Sequence, residues 1–203
     1  MNEKTPTRRS VQSTSGFSPV IVQTSPAAES PQKNLTGHPR VIRDIVADLY
    51  NNVQRWNSLH IQGCGIVKQI ASMKADTGQT YPPHLDEHIN ELQSVVQSMT
   101  NMFNVFAKLD EQATAFAKLP NLWNPLFFSM DAFSLTRLIK DICEVYMTAF
   151  KAKLCVLENI GHSKTHTDAM FWAISWTYEV DIDEDTSFKL QTLLVECGHT
   201  AIS

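Results

Sequence analysis

Four cysteines in 203 residues, with no C-x-x-C pair among them, offer no basis for a disulfide framework or a structural zinc site. Cys64, Cys143, Cys155 and Cys197 lie far apart in stretches that read as helix faces, a pattern that fits reduced thiols in the cytosol or nucleus. No apolar run approaches the roughly 20 residues that a membrane-spanning helix needs. Met1 to Ser10 is polar, carries Arg8 and Arg9, and is not followed by the apolar segment of a secretory signal, so a soluble chain without a signal peptide is expected. Neither sign of charge dominates. With 17 basic and 21 acidic side chains and a formal charge of -4, nothing drives the chain as a whole toward phosphate backbones, and neither nucleic acid nor membrane is expected as a direct partner. Sustained strand alternation and repeats of 20 to 50 residues are both lacking. So are a Gly-rich phosphate loop, a nucleophile elbow and a kinase signature, and the chain is therefore expected to be non-enzymatic, with no cofactor.

What is present is a tail followed by helices. Residues 1–37 are rich in Ser, Thr, Pro and Gln, and their one strongly apolar run is Val20-Ile21-Val22, too little to offset the entropy of ordering. They predict a disordered tail. Pro39 suits the opening of a helix, and residues 38–203 predict one helical interaction domain. From Val41 to Met73 apolar residues recur at three- and four-residue steps through Ile42, Ile45, Leu49, Val53, Trp56, Leu59, Ile66 and Ile70. Gly63 and Gly65 interrupt that stripe, where they either kink the helix or admit a close neighbour. After a Gly- and Pro-containing turn, a second stripe runs from Leu85 to Phe116, which predicts an antiparallel hairpin. Leu119 to Phe133 is apolar but broken by Pro120 and Pro125, and should pack across the bundle. A third long helix is predicted from Ser134, taken as its N-cap, to Gly161, with short helices over 166–176 and 186–197. The expected architecture is all-α: an elongated antiparallel bundle of three long helices with two short C-terminal ones.

Three patterns invite a chemical reading. His84-Leu85-Asp86-Glu87-His88 is an H-x-x-E-H string, whose two histidines on one helix face can chelate zinc beside a carboxylate base. A zinc-dependent hydrolase built on His84, Glu87 and His88 is therefore the alternative function, set against solvated histidines in a first helical turn. Asp181, Asp183 and Asp185 imitate the start of a calcium loop, but Thr186 and Thr192 stand where glycine and glutamate are required, and a solvated acidic linker or an acidic helix start is the better reading. In the tail, Thr5-Pro6, Ser18-Pro19, Ser25-Pro26 and Ser30-Pro31 are steps for proline-directed kinases. Thr5 and Ser30, each followed by a basic residue two positions beyond the proline, are the candidate phosphorylation sites, able to dock on an Arg cluster once charged.

The first long helix reads Ala47-Asp48, Asn51, Trp56, Leu59, Gly63, and the chain closes on Leu193-Leu194, Glu196, Gly198-His199, Ala201-Ile202. These residues resemble the cyclin-dependent kinase 2-interacting protein family, with its A-D-x-x-N-x-x-x-x-W-x-x-L-x-x-x-G helix and L-L-x-E-x-G-H-x-A-L-like terminus. Pro125-Leu126-Phe127 and Trp176 are weaker echoes. The chain departs from the pattern at Cys64-Gly65 and at Ile202. The resemblance implies a nuclear adaptor, with the cytoplasm as a second compartment, that acts in DNA replication, cell-cycle and DNA-damage checkpoint control. The implied partners are cyclin-dependent kinase 2 with its cyclins, the origin-firing kinase and the regulatory subunit of the checkpoint kinase. Also implied is membership of an AAA+ ATPase complex for late large-ribosomal-subunit maturation, or ribosome biogenesis, and replisome proteostasis. The residues expected to dock a partner are Trp172, Trp176, Leu193, Leu194, Gly198 and His199; closing the bundle's own core is the competing role for the two tryptophans and two leucines.

Overall fold

The computed structural model describes residues 35–120 and 124–199, and within them the regular elements are five helices. Most of the expected tail, including Thr5 and Ser30, lies outside the described residues, as do Ala201 and Ile202.

Helix α1 spans His38–Thr77. Pro39 sits in its first turn, where a missing N–H costs no hydrogen bond, and Gly78, at φ 63°, takes the left-handed conformation that ends it. No kink is needed at Gly63. A Cβ there would come within 2.1 Å of the Trp176 ring, so the glycine serves the second of its two expected roles, close approach. Helix α2 spans Leu85–Ala117 and returns antiparallel to α1; helix α3 spans Ala132–Ile160 and packs along α2. The N-cap of α3 is Asp131 rather than Ser134, because the Asp131 carboxylate accepts the Ser134 backbone N–H at 2.8 Å and so starts the helix three residues early. Gly161 follows α3 as expected, yet at φ -62° it is not left-handed, and its lack of a side chain instead makes room for Ile89.

Helices α4, His166–Thr177, and α5, Glu184–Glu196, both lie against α1 and α3. Leaving the end of α3, α4 runs back down the groove between these two rods, and α5 continues it toward the α1 start. The two short helices are therefore halves of one fourth rod, broken at 178–183, and the chain is an up-down-up-down bundle. A capping box of Thr165 and Asp168 starts α4, and Asp183 restarts the rod by accepting the Thr186 N–H at 2.9 Å.

The core holds Trp56, Phe106 and Tyr146 in mutual ring contact, with Phe106 and Tyr146 stacked at 4.8 Å. Buried charges close both ends of the bundle. At one end Lys74 Nζ donates to the carbonyls of Thr80, Gly161 and Ser163, tying the α1–α2 turn to the α3–α4 turn. At the other, Glu196 accepts the Ser129 and Met130 N–H groups, and His199 Nε2 donates to the Arg43 carbonyl. Burial pushes the Glu196 carboxyl up, but these backbone donors outweigh it and hold it below its usual range. The segment before α3 packs on the core through Leu126, Phe127 and Met130, as expected of it, while Phe128 remains exposed.

Candidate functional site

Helix α4 is apolar on every side, because Met170-Phe171-Trp172-Ala173-Ile174 leaves no polar face. Ala169, Ala173 and Trp176, at steps of four and three, turn inward and are buried. The opposite face must then present its apolar side chains to water. Phe171 and Ile174, with Tyr178 just past the helix end, form an outward stripe at steps of three and four, flanked by Met170 and followed in the break by Val180, which is 87% exposed. An exposed run of large side chains on one short helix is the signature of a docking surface.

Beneath this helix lies a buried polar knot. Lys153 projects from α3 into the core with only 2% of its surface exposed. Its ammonium donates to Glu179 Oε1 at 3.0 Å, to His60 Nδ1 at 2.9 Å and to the Trp176 carbonyl at 2.7 Å, and lies 4.6 Å from the centre of the Trp176 ring. Trp56 Nε1 donates to the same Glu179 oxygen at 2.9 Å, and Trp176 Nε1 to the His60 carbonyl at 3.1 Å. All three ammonium protons are thus used, as a buried cation requires. Glu179 lies in the break of the fourth rod, so the interruption between α4 and α5 is what brings a carboxylate to Lys153. Beside the knot a recess of about 180 Å³ opens among Ala149, Ser175, Tyr178 and Val180.

Burial pushes His60 down to about 4, with the Glu179 carboxylate working the other way and the Lys153 cation adding to the fall. Nδ1 must accept from Lys153, so the neutral ring carries its proton on Nε2, the nitrogen facing Cys64 Sγ at 3.5 Å. Burial likewise lowers Lys153, opposed by Glu179. The unfolded chain binds a proton at His60 below about 6.5 and the folded chain only below about 4, so stability rises with pH across that window. Acidifying from pH 6.5 to 4 should cost about 3 kcal/mol through this group. Urea melts of the parent and of His60→Gln, which cannot take up the proton, measure it: parallel pH curves for the two would refute the assignment.

The residues expected to dock a partner are mostly inside. Trp176, Leu193, Leu194 and His199 are buried, Trp172 is half-buried against Phe171, and Gly198, at φ 71°, serves the turn that ends α5. In the isolated chain the first four face inward, since Trp176, Leu193 and Leu194 lie on the inner face of the fourth rod and His199, just past its end, bonds the Arg43 carbonyl; the exposed side chains on α4 and at its end are Phe171, Ile174 and Tyr178. The H-x-x-E-H string does not converge. His84 precedes α2 at φ 65°, off the helix, and pairs with Glu87 at 2.9 Å, whereas His88 faces Glu91 at 3.3 Å. Among the described residues no three His, Cys, Asp or Glu side chains are grouped to hold a metal ion. Asp183 caps α5 and Asp185 pairs with Lys189 at 2.8 Å.

No family model matches the chain. Comparison with known proteins finds cyclin-dependent kinase 2-interacting proteins of Mus musculus and Bos taurus, each 20% identical over 192 residues that cover 80% of this chain and 91% of the relative. The Xenopus laevis protein of that name is 20% identical over 213 residues, covering 88% and 98%. The resemblance read from the two ends of the helical segment thus extends along most of the chain.

Proposed function

We propose that this chain is a non-catalytic helical adaptor that binds cyclin-dependent kinase 2 assemblies through the outward face of α4. The carrying observation is the stripe of Phe171 and Ile174, continued by Tyr178 at the helix end, on an element whose other face is buried in the core. Support for the partner comes from the relatives, whose shared name states an interaction with that kinase. The wider roles that the resemblance implies belong to the same proposal: nuclear work in replication and checkpoint control, contacts with the origin-firing kinase and the checkpoint kinase's regulatory subunit, and membership of an AAA+ ATPase complex in ribosome maturation.

A pull-down of purified kinase–cyclin complex by the full chain tests it. Phe171→Asp with Ile174→Asp should weaken capture by at least about thirtyfold, the loss of one hot-spot pair, while the melting temperature stays within about 2 °C of the parent because both side chains are exposed. Undiminished capture by the double variant would remove α4 as the docking face. No capture by the parent chain would remove the kinase as the partner.

A further inference from the structure

The far end of the bundle carries a second, chemically different surface. Where α2 ends and α3 begins, an open groove of about 320 Å³ is lined by Ala117, Lys118, Phe133, Arg137, Lys140 and Asp141, among others. Lys118 and Arg137 are exposed and Lys140 is half-buried, and among the described residues none of these three cations is engaged in an ion pair. The acid lining the groove, Asp141, faces Lys189 at 3.7 Å, so three cations outnumber it there. Phe133, 64% exposed, adds an apolar patch. Three cations with no ion-pair partner among the described residues, around a recess with an aromatic wall, suit a dianion carried on an apolar residue, and a phosphorylated Ser-Pro step has that composition.

Such a step lies within reach of this spot by chain length. Its described part begins at Leu35, and His38 packs edge-on against Phe116 at 5.6 Å, one residue before the groove wall at Ala117. Ser30-Pro31 stands eight residues before His38, a reach of at most about 27 Å. Ser25, Ser18 and Thr5 stand progressively further away, and a shorter connection costs less closure entropy.

We infer that the groove between the end of α2 and the start of α3 is an intramolecular receptor for the chain's own phosphorylated Ser30. A proline-directed kinase transfers the γ-phosphoryl group of ATP to Ser30 Oγ; the hydroxyl proton is lost and ADP leaves. The new dianion seats among Lys118, Arg137 and Lys140, and Pro31 lies on Phe133. Phosphorylation thereby fastens the tail to the bundle at the end opposite the α3–α4 turn.

The test is a phosphorus NMR titration of the full chain carrying phosphoserine at position 30, beside a synthetic phosphopeptide of residues 24–36. The peptide phosphate should titrate near its ordinary value of about 6, and that in the chain at least about half a unit lower, because neighbouring cations favour the dianion. Arg137→Glu and Lys118→Glu, both at exposed positions, should each raise the chain's value toward the peptide's with helical content unchanged by circular dichroism. Identical titration of chain and peptide would overturn the inference, as would a lowered value indifferent to both reversals. If the chain's phosphate is unshifted while the peptide binds the groove in trans, the site serves another protein and the intramolecular receptor is wrong. If inorganic phosphate alone perturbs the groove as strongly as the peptide does, it is a plain ion sink and the inference also fails.

Discussion

Lys153→Met should destabilise the bundle by about 3–5 kcal/mol, lowering its melting temperature by roughly 6–20 °C for a domain of this size. Methionine fills nearly the same volume, so packing is not the reason. The loss arises because Glu179 Oε1, His60 Nδ1 and the Trp176 carbonyl all face the vacated ammonium position at 3.0 Å or less. One carboxylate is left buried with a single donor, Trp56 Nε1. With the Lys153 cation gone, protonation of His60 beside the carboxylate is the cheapest relief, so the variant's deficit should shrink as the pH falls. Thermal melts at several pH values check both statements. A variant within about 2 °C of the parent would mean that water reaches the knot and that Lys153 is not sealed.

Gly63→Val should cost a comparable amount by a different route. The first added carbon would lie 2.1 Å from Trp176 Cζ2 and 2.4 Å from Cε2, distances no packed pair of atoms sustains, and both sides of the contact are rigid. The indole must leave. With it go a fully buried side chain, its hydrogen bond to the His60 carbonyl and the face on which Lys153 rests, for about 3–5 kcal/mol. The slightly poorer helix propensity of glycine is small beside this. Trp176 fluorescence should shift to longer wavelength as the ring meets water, with a parallel fall in the denaturant midpoint. Gly65→Ala is the control, since nothing lies within 4 Å of a Cβ there, and it should be neutral or mildly stabilising.

The fold was legible wherever periodicity is a local property. The α1 stripe through Ile42, Ile45, Leu49, Val53 and Trp56 is buried as spacing requires, and the α2 turn and α3 limits fall within a few residues of expectation. Legibility fails where a polar residue occupies a core position. Reading apolarity alone puts Leu59 and Met73 on the inner face of α1, but both are half-buried at its edge, and His60 and Lys74 continue the buried row after Trp56, Val67 and Ile70. Lys153 is the same case on α3, in step with Ala149 and Val156. A lysine at a core register is a visible anomaly in a sequence; the carboxylate that satisfies it, Glu179, lies 26 residues away in an unstructured-looking acidic link, and only the tertiary fold joins them. The direction in which the candidate docking residues face is hidden for a related reason. Trp176, Leu193 and Leu194 are large apolar groups of the C-terminal helices, and size marks a side chain as an anchor without saying in which direction it faces. On α4, where all sides are apolar, orientation is set by Gly63 and the α1–α3 groove, neither of which is encoded in α4 itself.

The unbroken course of α1 has a mechanical consequence. His38, beside the basic groove, and Gly63, beneath α4, are twenty-five residues apart on one hydrogen-bonded rod, so at about 1.5 Å per residue they are held roughly 37 Å from each other. A flexible tether lets its two loads wander; a rod fixes both their separation and their mutual angle. Whatever occupies the two stations is therefore held at a set spacing, as marks are on a ruler.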